Sequence, residues 1–205
     1  MSFQDAFDAW LAALAALGFQ APAHLNPPAS QAQIGKFEAS VGFALPEDLR
    51  ALYRIGNGQV DPWGIKDAAP GTKVAPLFGS YFFLSLDQAQ GEYECWQDIR
   101  DEAGEDFADD YNDTVLRPGD PPVYAEYWRP GWVPFSTDGS GNHYAVDLSP
   151  PPGGTVGQVI VFGADESIRK VLAPDLATFL SDAAAAGIGD IHERTSPLFT
   201  FHMEP

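Results

Sequence analysis

The stretch Ile34–Gln59, IGKFEASVGFALPEDLRALYRIGNGQ, decides the fold of this chain. Its apolar residues recur every three or four positions up to Gly42, a residue type that commonly ends a helix in a left-handed conformation. Pro46 then opens a second helix at its tolerated first turn, with acidic residues beside the positive helix end. Gly56–Gly58 can adopt positive φ at little cost and reverse the chain. The stretch therefore predicts two short helices closed by a tight turn.

On the N-terminal side, the sequence predicts one more helix and a connector. Phe3–Leu17 places its apolar residues on one helical face, with Ser2 as the cap and Gly18 as the stop. Ala21–Ser30 contains three prolines, which lack the amide donor that a helix interior needs. This second segment is therefore predicted to be a connector, and Ser30 to begin the next helix.

On the C-terminal side, the sequence predicts a helix, after which the spacing of apolar residues changes from helical to strand-like. A strand at Tyr81–Leu84 precedes a capping box of Ser85 and Gln88, which predicts a helix running to about Ala103. Later segments separated by glycine- and proline-rich turns have the apolar or alternating pattern of strands: Trp132–Phe135, His143–Leu148, Val156–Phe162 and Ile168–Leu172. A last helix is predicted between Asp175 and Gly187. The pattern is that of an α+β domain containing an antiparallel meander.

The net charge limits the classes of partner. Lys plus Arg number 11 against 29 Asp plus Glu, which gives −18. Such a surface repels nucleic acid and anionic membranes, and it attracts basic proteins. The same charge also serves simple solubility, so a basic partner and a solubility role both remain open at this point.

Cysteine use and hydropathy favour a cytoplasmic protein. Cys95 is the only cysteine, so no intrachain disulfide, thiolate zinc site or dithiol redox pair can form. The N-terminal residues carry no basic region of the kind that opens a secretory signal. No apolar run approaches the roughly 20 residues needed to span a bilayer. We therefore expect neither a membrane anchor nor a membrane partner.

Half of the net charge lies in Glu92–Asp113, which holds ten acidic residues against Arg100 alone. Clustered like charges repel one another, which indicates either a basic partner or a flexible loop in which the repulsion is relieved. Aromatic residues lie among the acids, and an aromatic anchor in a charged surround is typical of a binding hot spot. Such aromatics can also attach a helix to the core, as we expect of Trp96. The candidate partner-binding residues are Trp63, Tyr93, Asp98, Asp101, Glu102, Glu105, Asp106, Asp109 and Asp110.

No pattern in the chain predicts catalysis, a cofactor or a metal. Asp138-x-Ser140-x-Asn142 has its glycine in the wrong place for a calcium loop and lacks the distal glutamate, so a strand-linking turn is favoured. His192-Glu193 is not followed by the second histidine of a zinc-protease helix. A metal-assisted hydrolase built on the acidic cluster would require a tightly bound divalent ion. We therefore expect a protein without catalytic, cofactor-binding or metal-binding residues.

Three blocks of the sequence resemble the SUKH superfamily. Glu38–Gly58 is similar to its entry helices, Val133–Phe162 to its central strand pair, and Ala173–Leu180 to its closing helix. The resemblance covers about residues 30 to 186 and implies an α+β fold in which helices pack around a mostly antiparallel sheet. We expect a single domain over residues 1–205, with an N-terminal helix and connector (1–29) and a C-terminal tail (187–205) flanking the SUKH-like part.

The resemblance also implies a binding protein without catalytic residues of its own. Bacterial members are immunity proteins that neutralise a cognate toxin, often a basic nuclease, and fungal members regulate cell-wall assembly. The first expectation is therefore a toxin-binding immunity protein, and the alternative is a regulatory interaction module without a toxin. A protein partner is expected in both cases, nucleic acid is not, and a monomer is favoured.

Overall fold

The computed structural model describes residues 1–19, 24–60, 76–104 and 122–187. Its helices are α1 (Phe3–Ala16), α2 (Gln31–Val41), α3 (Glu47–Ile55), α4 (Leu86–Ala103) and α5 (Leu176–Ala186). Its strands are β1 (Phe82–Phe83), β2 (Trp132–Pro134), β3 (Ser136–Thr137), β4 (Asn142–Asp147), β5 (Gln158–Gly163) and β6 (Lys170–Ala173). The predicted α+β class is confirmed.

The strands form one four-stranded sheet and one two-stranded sheet. The larger sheet has the order β2-β4-β5-β6 with every pair antiparallel, and β1 pairs with β3 in the smaller one. In the centre of the larger sheet, Ala145 pairs with Ile160, and Ile160 pairs with Val171. Because β4, β5 and β6 are consecutive in both the chain and the sheet, the predicted antiparallel meander is confirmed.

The helix boundaries follow the predicted caps closely. Ser2, Ser30 and Ser85 each form a capping box with the residue three positions later. The C-cap of α2 is Gly42 in the left-handed conformation, with φ of 78°. Pro46 differs slightly from the prediction, because it is the N-cap of α3 and not its first helical residue. These local signals therefore define most of the helical framework.

Helices cover both faces of the larger sheet. On one face, the ring of Tyr144 in β4 meets Phe179 of α5 at 5.4 Å, and α1 packs against α5. On the other face, Trp96 of α4 lies 5.4 Å from Phe162 of β5, so this residue is in the core as expected. All six residues of β4 are consequently buried, although their polar and apolar alternation is typical of a strand with one exposed face.

The turn after α3 joins three segments of the chain through side-chain acceptors. The Asn57 Oδ1 atom accepts a hydrogen bond from the Leu86 amide at 2.9 Å, at the first residue of α4. The Gln59 Oε1 atom accepts from the amides of Leu77 at 2.7 Å and Phe83 at 3.0 Å. Between them, Gly58 has φ of 76° and packs so closely on Ser85 that a Cβ atom would collide with its backbone. Only glycine fits there without displacing α4.

Replacing Gly58 with alanine should lower the free energy of unfolding by at least about 2 kcal/mol, because the strain of positive φ adds to the collision with Ser85. Gly35→Ala is the matched control. Gly35 lies in α2 with open space around its Cβ position, so alanine should stabilise the protein by up to about 1 kcal/mol. Urea unfolding of both variants measures the difference, and equal effects would contradict the role given to Gly58.

His143 is a fully buried polar residue of β4. Its Nδ1 atom lies 3.1 Å from the Ser136 carbonyl oxygen, and this contact assigns the proton of the neutral ring to Nδ1. The Nε2 atom is then an acceptor, and it has no hydrogen-bond partner among the described residues. The acidic groups facing the ring are Glu92 of α4, with Oε2 at 3.8 Å from Nε2, and Asp138 at the preceding turn. Burial lowers the pKa of His143 to about 4, so the ring is neutral at pH 7.

This depressed pKa predicts a loss of stability in acid. In the unfolded chain the pKa of a histidine is about 6.5, so between that pH and about 4 the unfolded state binds more protons than the folded state. The free energy of unfolding should therefore fall by about 3 kcal/mol across this window through His143 alone. We expect His143→Gln to lack this component, measured as the difference between the two proteins in urea unfolding at pH 7 and pH 4.5. An identical pH dependence would contradict the assignment.

Candidate protein-binding surface on helix α4

One face of α4 is part of the core. Leu86, Ala89, Tyr93 and Trp96 are buried along it. The Tyr93 hydroxyl donates a hydrogen bond to the Pro130 carbonyl oxygen at 3.1 Å, and its ring meets Trp128 edge-on at 5.3 Å. Tyr93 was predicted to touch a partner, but its side chain is 5% exposed. It belongs to the core and is removed from the candidate surface.

The opposite face of α4 carries a row of exposed carboxylates, here called the α4 acidic face: Asp87, Glu94, Asp98, Asp101 and Glu102. Three of these, Asp98, Asp101 and Glu102, are predicted partner-binding residues, and the helix brings them together within its last two turns. The other predicted residues, Trp63, Glu105, Asp106, Asp109 and Asp110, lie outside the described residues. The described part of the candidate surface is therefore a helical acidic stripe.

Arg100 is the one cationic residue of α4, and it contacts groups of its own chain. The Arg100 Nη2 atom lies 2.7 Å from Asp101 Oδ1, and the guanidinium is 5.5 Å from the centre of the Trp128 ring. One positive charge thus stands against six acidic residues along the helix. An exposed pair of this kind contributes little to stability. Because Arg100 pairs with Asp101 alone among the described residues, the α4 acidic face keeps a strong negative potential.

The other described arginines are also engaged inside the molecule. Arg50 pairs with Glu38 at 2.6 Å, and Arg54 pairs with Glu47 at 2.6 Å. Arg129 lies 3.7 Å above the Tyr124 ring. Since these cations are committed elsewhere, the carboxylates of α4 have few internal counter-charges among the described residues.

Arg169 is bound in a cage of carbonyl groups, and the nearby Glu166 carboxylate also favours its charged form. Its Nε atom donates to the Glu126 carbonyl oxygen at 3.0 Å and its Nη2 atom to that of Tyr127 at 2.7 Å, while Nη1 donates to the Glu166 carbonyl oxygen. Burial lowers the pKa of Arg169 to about 10, so the group is charged at pH 7. The cage attaches the chain before β2 to the β5–β6 connection, and Arg169 is fully buried.

A groove lies beside the acidic face, between α4 and β1. Its volume is about 600 Å³. The described residues that line it, here called the α4–β1 groove, are Gln59, Val60, Phe82, Phe83, Leu84, Gln88, Gly91, Glu92, Cys95, Thr137 and Gly139. Glu92 is the only charged residue among them, its side chain is 37% exposed, and burial raises its pKa. The groove thus has largely apolar walls and a partly desolvated carboxyl group.

In the sequence, Glu92 is only one of the ten acids of the segment Glu92–Asp113. Its position on the helix indicates partial burial, because Glu92 directly precedes Tyr93 and lies one turn before Trp96, at the border of the buried stripe. Its neighbour His143 is 51 positions away, and no local pattern predicts that approach. The groove is therefore a tertiary feature that only the structure shows.

The turn between β3 and β4 is structural, as favoured from the sequence. The Asp138 carboxylate accepts hydrogen bonds from the Ser140 amide at 2.8 Å and from Asn142 Nδ2 at 2.8 Å. Burial alone would raise the pKa of Asp138, but the hydrogen bonds from Asn142 and Ser140 outweigh it and lower the pKa. Across the described ranges, no three His, Cys, Asp or Glu side chains gather as a metal site would require.

No helix in the described part of the chain combines the length and apolarity needed to cross a bilayer.

Comparison with known proteins identifies the family. Residues 28–182 match the sequence profile of the SMI1 / KNR4 family (SUKH-1). The chain is 32% identical over 163 residues to the cell wall biosynthesis/cell cycle regulator smi1 of Schizosaccharomyces pombe, covering 76% of this chain and 30% of that protein. It is 28% identical over 185 residues to the cell wall assembly regulator SMI1 of Saccharomyces cerevisiae, covering 77% of this chain and 35% of that protein.

A glucan synthesis regulatory protein of Neurospora crassa is also similar, at 28% identity over 178 residues, which cover 74% of this chain and 32% of that protein. The chain therefore spans about a third of the length of these relatives. The matched region contains α2 through β6 and most of α5, which includes the α4 acidic face and the groove. Since this match extends over most of the sequence, the chain belongs to the SMI1 / KNR4 family (SUKH-1).

Proposed function

We propose that this chain is a non-catalytic protein-interaction module that uses the α4 acidic face to bind a basic protein partner. The observation that carries the proposal is the exposed row of carboxylates on α4, whose one cation is bound to Asp101 and Trp128. The opposite face of the same helix is anchored in the core by Tyr93 and Trp96. A rigid, charged helix of this kind suits recognition of a complementary surface.

The regulatory alternative is favoured over toxin neutralisation. The relatives reported above are named as regulators of cell-wall biosynthesis, cell-wall assembly and glucan synthesis. We therefore propose that the partner belongs to a regulatory system of that type. Toxin neutralisation stays as a second candidate function, because the α4 acidic face would equally suit a basic toxin domain.

We further propose that the chain acts in the cytoplasm and works as one domain. The proposal of one domain is supported by the packing of α1 against α5, two helices that are far apart in the sequence. The Trp10 Nε1 atom also donates a hydrogen bond to the Leu77 carbonyl oxygen at 2.9 Å. The N-terminal helix thus shares a core with the SUKH-1 region.

Binding through the α4 acidic face should depend on its charge during the encounter. Carboxylates on one face raise the local concentration of a basic partner and accelerate association, and salt screens this attraction within about 8 Å at physiological ionic strength. Exposed charges at the rim of an interface act mainly on the association rate. Their effect should therefore be largest at low salt.

The test compares two variants with the same change in net charge. In Asp98→Asn/Glu102→Gln, two exposed carboxylates of the α4 acidic face are neutralised. In Asp8→Asn/Asp182→Asn, two exposed carboxylates on α1 and α5 are neutralised. The partner is first captured by crosslinking from cells of the source organism, identified and purified. Surface plasmon resonance at low and at physiological salt then gives the association rates.

We expect the α4 variant to associate about three- to tenfold more slowly than the unmodified chain at low salt, and the difference to shrink as salt is added. The α1/α5 control should change the rate much less. Equal rates for both variants would contradict the role of the α4 acidic face. A purified partner that is a toxin domain would favour the second candidate function, and a protein of the cell's own regulatory machinery would favour the first.

A further inference from the structure

Two hydrogen-bond acceptors face each other without a donor between them where Glu92 lines the α4–β1 groove. The Glu92 carboxylate is one, and the Nε2 atom of His143 is the other at 3.8 Å. The His143 ring is fully buried and does not line the groove, and its proton is committed to the Ser136 carbonyl oxygen. His143 therefore offers Glu92 neither a donor nor a positive charge, so a donor to this partly exposed carboxylate has to enter from the groove.

The surroundings of Glu92 specify the charge of that donor. Glu92 is the only charged group among the described residues that line the groove, and no lysine or arginine lies among them. Its carboxyl group is partly removed from water, which raises its pKa and makes a cation the favourable neighbour. The chain as a whole has a net charge of −18. Charge complementarity therefore indicates a basic occupant.

We propose that the α4–β1 groove receives an arginine side chain from the protein partner, with the Glu92 carboxylate as its counter-ion and hydrogen-bond acceptor. This inference rests on the proposed function, because it assigns the groove to the same partner as the α4 acidic face. The apolar walls formed by Val60, Phe82 and Leu84 cover the methylene stem of the incoming side chain.

The geometry favours arginine over lysine. A guanidinium carries five N–H donors in one plane and no acceptor, so it can donate to both oxygens of the Glu92 carboxylate while a flat face rests on an aromatic ring. Phe82 is half-buried at the groove and can supply such a ring. A lysine ammonium is a compact, strongly hydrated charge and matches this site less well.

The chain contains its own reporter for the test. Cys95 is exposed, lines the groove and is the only cysteine, so its alkylation by N-ethylmaleimide reports on this site without background from other thiols. The probes are capped glycine–serine peptides with one central residue: arginine, its neutral analogue citrulline, or lysine. For each peptide, the alkylation rate is measured as a function of peptide concentration.

Glu92→Gln is the test variant, and Asp182→Asn is the control with the same change in net charge. Asp182 is an exposed carboxylate on α5 and lies outside both the groove lining and the α4 acidic face. Circular dichroism checks that both variants are folded. The comparison of arginine with citrulline uses the unmodified chain, so it does not depend on the folding of any variant.

The arginine peptide should protect Cys95 in a saturable manner, with about tenfold weaker affinity for Glu92→Gln than for the unmodified chain or Asp182→Asn. The citrulline peptide should protect much less. Equal protection by the arginine and citrulline peptides, or equal protection of Cys95 in Glu92→Gln and Asp182→Asn, would overturn the proposal. Equal protection by the lysine peptide would overturn the assignment to arginine.

The groove and the proposed function can fail separately. If the arginine peptide gives no protection while the purified partner still distinguishes the α4 variant from the α1/α5 control, the groove assignment is wrong and the proposed function stands. If the peptide protects Cys95 while the partner binds all charge variants equally, the groove assignment stands and the role of the α4 acidic face is wrong.

Discussion

The hydrogen bonds made by the Asn57–Gln59 turn are the constraint on which the rest of the structure depends. Within three residues, the turn binds the first amide of α4, the amide of Phe83 in β1 and the amide of Leu77. It is also held from outside, because Asn26 Nδ2 donates to the carbonyl oxygens of Asn57 at 3.0 Å and Gln59 at 2.9 Å. Buried backbone amides need partners, and here one short turn supplies them to segments that are far apart in the chain.

This arrangement connects the fold directly to the candidate site. The turn fixes both β1 and the start of α4, which are the two walls of the α4–β1 groove, and Gln59 itself lines the groove. The helix is then held along its length by Tyr93 and Trp96 against the core. Orientation of the α4 acidic face is therefore a consequence of buried packing and turn geometry, whereas the acidic residues themselves add little to stability.

The sequence predicts the parts of this structure that local chemistry controls. Serine capping boxes, left-handed glycine and the alternation of the late strands gave the helices, the meander and the α+β class, because these signals act within a few residues. What the sequence could not show depends on packing between distant segments. The polar residues of β4 are typical of a half-exposed strand, yet Trp96 of α4 packs on His143, and both His143 and Asp147 are buried. The same long-range packing placed Tyr93 in the core and created the groove, whereas the exposure of Asp98, Asp101 and Glu102 could be predicted from their charge alone.

The distribution of charge in the described residues joins the two candidate regions into one surface. Buried ionisable groups are compensated locally: Arg169 by carbonyl oxygens, and Asp147 by the Ser149 amide at 3.0 Å and Gln158 Nε2 at 3.2 Å. A row of exposed carboxylates with one paired cation lies on α4, where Cys95 lines the groove and Asp98 follows one turn later on the same side.

From Glu92 to Glu102 the helix rises about 15 Å, a distance that roughly five residues of extended chain can span. One short basic segment can therefore place an arginine in the groove and its neighbouring cations along the α4 acidic face. On this arrangement the groove would supply the specific anchor and the acidic face the long-range attraction, because a partly desolvated contact acts on dissociation while exposed charges act on association.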